Sequence, residues 1–266
     1  MMRKIFSFEN KKLSVPYEVI SETQTNPLLT TLYLYLRIEA GMHGRVYTSL
    51  TRLLQGCGYN YNTHSATRGY LALVKDGLQW LQDNDFVGYY EDAVTNDQRR
   101  ELESNGGLKP NTHFIVCLTD NCIDCPDQFV SITVAEYATL YGITAKYKAP
   151  VYRNACNLFF YLMKHQQTKN QRTLTYYAGT IQKLADNIPG GLSEASISDL
   201  LQLLESLALI HKTTTSTLRL DNGNAIYGFT VVVAHSDNWE QQLYNAKYIV
   251  TEKQREKYIK QGLLTE

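Results

Sequence analysis

The chain has no long apolar run, no excess of either charge and few cysteines. Its longest strongly apolar run, residues 158–163, is far shorter than the roughly 20 residues that a membrane-spanning helix requires. The first ten residues include basic side chains but no apolar segment behind them, so we expect no signal peptide. The five cysteines are an odd number, which favours reduced thiols over a disulfide framework. These absences predict a cytoplasmic protein that makes no contact with a membrane.

The sequence also lacks the net positive charge of a protein that holds nucleic acid by bulk electrostatics. Its 26 lysines and arginines are balanced by 26 aspartates and glutamates, so any contact with DNA must come from local patches. Tyrosine is abundant, with 20 residues. Its rigid ring with one polar tip is common at interfaces, although the base composition of a genome explains the same count.

No motif for catalysis or for a cofactor is recognisable. The chain has no glycine-rich phosphate loop ending in Lys-Ser or Lys-Thr, and its glycine pairs at 106–107 and 190–191 lie in predicted turns, where glycine is common. No Ser-His-Asp or Cys-His signature stands out among the six histidines. We therefore expect neither enzymatic activity nor a cofactor.

Four residues with zinc-binding side chains lie close together in the sequence: His113, Cys117, Cys122 and Cys125. The first two are an even number of residues apart in a predicted strand, so their side chains are expected to face the same way. Structural zinc sites usually combine two ligand pairs that the fold brings together. We interpret the thiols as incidental residues of a linker and predict no metal site, with zinc as the alternative.

Residues 46–90 have the pattern of two helices followed by a strand. Thr48 is expected to cap a short helix whose leucines share one face. Gly56 and Gly58 predict a tight turn, a second helix has apolar side chains at steps of three and four, and residues 86–90 are expected to form a strand. This order is typical of a winged helix-turn-helix, which places its second helix in the major groove of DNA. It also occurs in α+β domains that bind no nucleic acid.

Further segments complete this first copy. An earlier helix is expected to begin with Asn26 as its cap and to end at Gly41. After the strand, the polar residues 91–111 and a second strand over residues 113–118 predict a hairpin with a long polar tip. A hairpin at this place in the order would be the wing.

The same order of elements recurs about 120 residues later. The second copy comprises a long helix over residues 149–166, a strand over 173–176, helices capped by Thr180 and Ser193, a strand over 209–212 and a returning strand over 225–233. Two copies in one order indicate an internal duplication. We therefore predict a mostly helical α+β protein with two tandem winged helix-turn-helix domains, residues 1–125 and 126–235, that together form an internal pseudo-dimer.

Residues 236–266 are predicted to form a helical tail. An apolar seam from Trp239 to Val250, at steps of four, three and four, lies among charged residues. Thr251 is expected to cap a further short helix. Such a tail more often packs on its own domain than recruits a partner, and we predict the first of these.

The start of the second helix in the first copy is the best candidate for reading bases. Its small polar side chains and Arg68 can donate to base edges and phosphates, with Arg52 and basic residues of the wing as further phosphate contacts. A solvated helix start explains the same residues, since Asn and Thr are good caps. The candidate DNA-binding residues of both copies are Arg52, Asn60, Asn62, Thr63, His64, Ser65, Thr67, Arg68, Arg99, Arg100, Lys109, Lys183, Ser193, Ser196, Lys212 and Arg219.

The second copy is less suited to reading bases. Its second helix starts with serines, and Glu194 and Asp199 in that helix would repel phosphate. Two interpretations stay open: this copy binds DNA mostly through the phosphate backbone, or it pairs copies of the protein.

The apolar pattern of the second copy resembles the end of a bacterial winged-helix domain. The residues that carry the resemblance are Ile181-x-x-Leu184-Ala185, a Ser-capped helix start, and Leu200-Leu201-x-x-Leu204-x-x-Leu207-x-Leu209-Ile210. The doubled arrangement, over nearly the whole chain, resembles tandem winged-helix DNA-binding proteins of Gram-positive mobile elements. This chain is similar to two groups of such proteins: plasmid or phage replication initiators, and conjugative-transfer DNA-binding factors. The longer step over residues 81–86 and the long first wing depart from the pattern.

The resemblance implies non-catalytic recognition of a double-stranded DNA site that organises replication initiation or conjugative transfer. It implies a monomer with an internal pseudo-dimer, or a homodimer, and other replication or transfer proteins as further partners. The alternative is a protein-interaction adaptor of a replisome or relaxosome with little DNA affinity. Neutral charge and abundant tyrosine favour the adaptor.

Overall fold

A computed structural model describes residues 12–41, 43–61, 65–91, 110–120, 128–169 and 174–265. These residues form an α+β protein. Their contacts divide the chain into two compact units, residues 1–157 and 158–266. This division differs from the predicted boundary at residue 125, because a strand that follows residue 125 pairs with the first strand of the chain.

Unit 1 contains a two-stranded and a three-stranded antiparallel sheet around a central helix. Its elements are β1 (Lys12–Pro16), α1 (Tyr17–Glu22), α2 (Leu29–Ala40), β2 (Arg45–Thr48), α3 (Leu50–Gly56), α4 (Ser65–Asp83), β3 (Val87–Glu91), β4 (Phe114–Leu118), β5 (Phe129–Thr133), α5 (Val134–Tyr141), a 3-10 turn (Gly142–Ala145) and the first part of α6 (Ala149–Lys164). β1 pairs with β5, and β4 lies between β2 and β3.

α2 is the central helix of unit 1, since every residue from Leu29 to Leu36 is buried. A helix that is apolar on all sides must be surrounded by protein, and α1, α3, α4, β1, β2 and β4 all pack on it. Two glycines permit this close packing. A β-carbon at Gly56 would collide with the ring of Tyr35, and one at Gly77 would lie 3.0 Å from Cδ2 of Leu32.

Two predicted caps in unit 1 are wrong by a few residues. Ser49, and not Thr48, caps α3, because its Oγ accepts a hydrogen bond from the backbone N–H of Arg52 at 3.3 Å. α2 begins at Leu29 without a side-chain cap. Asn26 instead accepts from the N–H of Leu28 at 3.1 Å and donates through Nδ2 to a carbonyl of α4 at 2.7 Å. The predicted end of α2 at Gly41 is confirmed.

Unit 2 contains a four-stranded antiparallel sheet covered by a long helix. After the second part of α6 its elements are β6 (Gln167–Lys169), β7 (Leu174–Gly179), α7 (Ile181–Asn187), α8 (Glu194–Ser206), β8 (Ile210–Thr214), β9 (Leu218–Arg219), β10 (Ala225–Ile226), β11 (Thr230–Ala234) and α9 (Trp239–Lys260). The strand order is β6-β7-β11-β8, with β9 and β10 in a separate hairpin. The returning strand predicted over residues 225–233 is therefore two strands, which are separated at 227–229.

The predicted caps of α7 and α8 are confirmed. Oγ1 of Thr180 accepts from the N–H of Lys183 at 3.1 Å, and Oγ of Ser193 accepts from the N–H of Ser196 at 3.2 Å. Both hydroxyls are followed by apolar residues at helical spacing, which is why the sequence identifies them.

The tail is one helix, α9, and it packs on its own unit as predicted. Ala246 and Val250 are buried against Tyr176, Val231 and Val233 of the sheet. The helix break expected at Thr251 is absent, and the hydroxyl of this residue donates to a carbonyl one turn earlier in α9. In the part of the chain that the structure describes, no helix has the length and apolar character to cross a membrane.

The two units repeat one arrangement at the level of single residues. In both units a strand is followed by a helix with a hydroxyl cap, then by a second helix and a second strand. The strand that comes last in this order, β4 in unit 1 and β11 in unit 2, lies in the interior of its sheet. Two residues after the end of each second helix lies a non-glycine residue with positive φ, Asp85 (57°) and Ala208 (52°). In each unit the next residue donates its N–H five residues back, from Phe86 to Leu81 and from Leu209 to Leu204.

Candidate nucleic-acid interface

The first helix of each helix pair, α3 in unit 1 and α7 in unit 2, bears a cation in its first turn, at the same position in both units. Arg52 and Lys183 are both the third residue of a hydroxyl-capped helix, and the backbone N–H of each donates to the capping hydroxyl. Both side chains are exposed. Both residues are candidates in the sequence, but their equivalence is not visible there, because it depends on the position of the cap.

Arg52 has a second local contact. The guanidinium lies close enough to the hydroxyl of Tyr35 on α2 to oppose the rise in the pKa of Tyr35 that burial causes. The contact connects the guanidinium to the central helix of the unit.

The start of α4 contains the residues predicted to read bases. Arg68 and Asn60 are exposed. Ser65 and Thr67 lie in the first turn of α4. The rings of Tyr59 and Tyr70 pack together with centroids 4.2 Å apart, and burial raises the pKa of the Tyr59 hydroxyl. The remaining candidates of this copy, Asn62, Thr63, His64, Arg99, Arg100 and Lys109, lie outside the described residues.

α4 is longer than its counterpart α8. Counted back from the equivalent leucines, Tyr70 is eleven residues before Leu81 and Ser193 is eleven residues before Leu204, so the two are equivalent. α4 begins at Ser65, five residues earlier than Tyr70. The first turns of α4 therefore have no counterpart in α8, which begins at Glu194.

The start of α8 offers hydroxyl groups but no cation. The hydroxyl oxygens of Ser193 and Ser196 are 3.0 Å apart, and that of Ser193 is already occupied by the cap. Glu194 and Asp199 are exposed on the same helix. The charge at this helix start therefore opposes a close approach to phosphate.

Lys212 on β8 is paired with a carboxylate of α8. Its Nζ lies 3.3 Å from Glu205 Oε2, and its backbone N–H donates to Glu205 Oε1 at 3.1 Å. The positive charge that the sequence analysis assigned to DNA is thus offset locally. The pairing was not visible in the sequence, since it depends on the return of the chain from α8 into β8.

A cleft of about 270 Å³ lies between α8 and the strands β8 and β11. Four hydroxyl side chains line it: Ser198, Thr213, Thr214 and Thr230. Neutral hydroxyl groups are regular donors to phosphate oxygens in complexes with DNA. The cleft therefore presents hydroxyl groups of the kind that donate to phosphate oxygens.

The hairpin after β8 carries one candidate that was predicted and one that was missed. Arg219, in β9, is exposed as the sequence analysis required. Tyr227, between β10 and β11, is 80% exposed, which is the largest exposed fraction among the large hydrophobic side chains that the structure describes. Sequence reasoning missed it because residues 225–233 were interpreted as a single strand.

The two buried thiols, Cys57 and Cys156, have no features of a reactive site. Burial raises the pKa of Cys57 to about 12 and raises that of Cys156 as well, so both remain protonated at neutral pH. Within the described ranges no three His, Cys, Asp or Glu side chains are grouped so as to hold a metal ion. Cys122 and Cys125 lie outside those ranges.

No family model matches the chain, and no curated protein matches its sequence. A solved structure described as the crystal structure of RctB domains 2-3 is similar over 82% of this chain and 84% of that chain. The TM-score is 0.37 and the sequence identity is 10%. At this score the match carries no argument about fold or function.

Proposed function

We propose that each unit is a winged helix-turn-helix domain and that the chain is a non-catalytic protein that binds double-stranded DNA. In each unit the shorter and longer helices would be the helix-turn-helix, and the strand pair that follows would flank the wing. The repeated sheet order and the equivalent left-handed residues at the ends of α4 and α8 support this interpretation.

The observation that carries the proposal is the pair of equivalent cations, Arg52 and Lys183. In a helix-turn-helix the first helix crosses the phosphate backbone while the second enters the groove. A cation in the first turn of that first helix is placed to bind a phosphate. Both units have this feature, although the overall charge of the chain is zero.

The two units would have unequal roles. The longer α4, with Arg68 near its start, would read base edges, whereas α8 exposes Glu194 and Asp199. Unit 2 would then contact the phosphate backbone through Lys183 and the hydroxyl groups of the cleft. We further propose that the site lies in the replication or transfer origin of a mobile element, on the basis of the residue pattern of the second copy.

Salt dependence tests the proposal. The wild-type chain should bind a duplex selected from a random pool, with an affinity that falls steeply as salt rises, by a slope of about 0.9 for each phosphate contact. Arg52→Gln and Lys183→Gln should each lower that slope by about 0.9, and Lys183→Gln should leave the thermal stability unchanged. Lys148→Gln, which removes an exposed lysine outside the proposed contacts, is the matched control and should change the slope less.

A chain that fails to shift any duplex at low salt would contradict DNA binding. The exposed acidic residues of α8 and the neutral charge would then favour the adaptor function, in which α8 contacts a basic protein. Footprinting on the selected duplex would separate the two units, since loss of base contacts on Arg68→Ala should be confined to the half-site of unit 1.

A further inference from the structure

The tail contacts the hairpin of unit 2 at its base. The hydroxyl of Thr215, the residue that follows β8, donates to Gln254 Oε1 of α9 at 3.0 Å and accepts from the N–H of Phe229 at 2.8 Å. The N–H of Thr215 donates in turn to the carbonyl of Phe229 at 2.9 Å. Thr215 is 3% exposed and Gln254 is 6% exposed. One buried hydroxyl thus joins the two ends of the hairpin to the tail.

The tail also contacts the hairpin near its tip. The N–H of Asp221 donates to the carbonyl of Leu263, which follows α9, at 3.1 Å. The side chain of Leu220, next to it, is buried. The hairpin over residues 215–229 is therefore held by the tail over residues 239–265 at two separate points.

The hairpin needs such support. Its strands β9 and β10 have two residues each and pair only Leu218 with Ile226 and Arg219 with Ala225. A short two-stranded hairpin is marginally stable in water by itself. Contacts outside the hairpin must therefore supply its order, and the tail supplies them.

The same geometry leaves one aromatic ring exposed. At Gly228 the chain passes so close to Thr215 that a β-carbon would collide with the Thr215 carbonyl oxygen. The preceding residue, Tyr227, is 80% exposed. A tyrosine offers a rigid ring and a hydroxyl to a partner, and the guanidinium of Arg219 lies on the same hairpin.

We propose that the tail is a positioning element for the wing of unit 2, and that Tyr227 and Arg219 are the wing residues that contact DNA. The proposal rests on the proposed DNA-binding function. It assigns Thr215 and Gln254 an indirect role: they touch no DNA, but they hold the hairpin in the conformation in which Tyr227 meets the duplex.

The contact is tested with the full chain and a selected duplex of about 30 base pairs, roughly three helical turns. Tyr227→Ala should weaken binding roughly fivefold or more, the lower end of what one lost contact to DNA costs, with no change in thermal stability. Tyr244→Ala is the matched control, since Tyr244 is 69% exposed on α9, and it should bind as wild type does. Arg219→Gln should lower the salt slope by about 0.9.

The positioning role is tested with Thr215→Val and Thr215→Ser. Valine keeps the shape but removes the hydroxyl, whereas serine keeps the hydroxyl. Thr215→Val should speed hydrogen exchange at residues 216–229, weaken binding and remove hydroxyl-radical protection on the flank of the site that the wing covers. Exchange in α7 and α8 should stay at the wild-type rate, and Thr215→Ser should restore both binding and protection.

Three results separate the ideas. If the wild-type chain shifts no duplex, the proposed function and this inference both fail. If it binds DNA and Tyr227→Ala binds equally well, the proposed function stands and the wing contact is refuted. If Thr215→Val speeds exchange throughout unit 2, or weakens binding without loss of the flanking protection, the tail only stabilises the unit and its positioning role is refuted.

Discussion

Replacement of Ala208 by glycine should stabilise unit 2. Ala208 lies two residues after the end of α8, with φ of 52°, and it is exposed. A residue with a β-carbon loses about 1–2 kcal/mol in this left-handed conformation, whereas glycine adopts it freely. Against that gain stands the greater entropy that glycine loses on folding, about 0.5–1 kcal/mol. The net expectation is a stabilisation of about 0.5–1 kcal/mol.

The matched comparison is Asp85→Gly at the equivalent position of unit 1. Asp85 has φ of 57°, but aspartate tolerates the left-handed region better than alanine does, because its short polar side chain can hydrogen-bond locally. Asp85→Gly should therefore stabilise unit 1 less than Ala208→Gly stabilises unit 2. Ala195→Gly, in the first turn of α8, is the negative control and should destabilise unit 2, since a helical residue gains nothing from the freedom of glycine.

Urea unfolding measures these differences. The chain has two tryptophans, and Trp80 lies in unit 1 while Trp239 lies in unit 2. In a Trp80→Phe background the fluorescence of Trp239 reports unit 2 alone. A gain of 0.5–1 kcal/mol should raise the urea midpoint by about 0.3–0.5 M. A midpoint that falls for Ala208→Gly as it does for Ala195→Gly would refute the reasoning.

Three further predictions concern stability. Gly56→Ala should destabilise unit 1 by about 1–3 kcal/mol in urea, because the added methyl group overlaps the ring of Tyr35; an unchanged midpoint would contradict the close packing. Thr180→Ala should destabilise unit 2 by about 1 kcal/mol through the lost cap, and Thr180→Ser should restore it. Burial and the neighbouring His235 lower the pKa of His211 below 6.5, against the opposing effect of nearby carboxylates. Unit 2 should therefore be most stable above pH 6.5 and should lose stability as the pH falls, because the unfolded chain binds the proton first. His211→Asn should reduce that loss. A free energy of unfolding that rises on acidification would contradict the lowered pKa of His211.

The sequence predicted those elements whose signals are local. The caps Thr180 and Ser193 follow from a hydroxyl placed before an apolar helical repeat, and the burial of the α9 seam follows from its spacing. Thr48 was wrongly preferred to Ser49 because two hydroxyl residues stand side by side, and only the strand pairing of Thr48 with Phe114 shows which one precedes the helix. The sequence pattern itself did not decide between them.

The features that the sequence could not predict depend on long-range pairing. β1 and β5 are joined by the pairing of Lys12 with Thr133, across more than a hundred residues, so the extent of unit 1 was not visible. The short strands of the hairpin are below the length at which alternation can be recognised. In the candidate site, too, the pairing of Lys212 with Glu205 and the exposure of Tyr227 depend on the folded chain and do not follow from neighbouring residues in the sequence.

The burial of α2 has a consequence for how the protein unfolds. Residues 28–36 contain no charged side chain and are rich in leucine, tyrosine and threonine, and all of them are buried. An uncharged apolar segment of this kind, once exposed, is prone to pair with copies of itself as β-structure. The native fold shields the whole stretch. Heating unit 1 should therefore lead to aggregation that rises with protein concentration, and a substitution that loosens α2 should shorten the lifetime of the protein in solution.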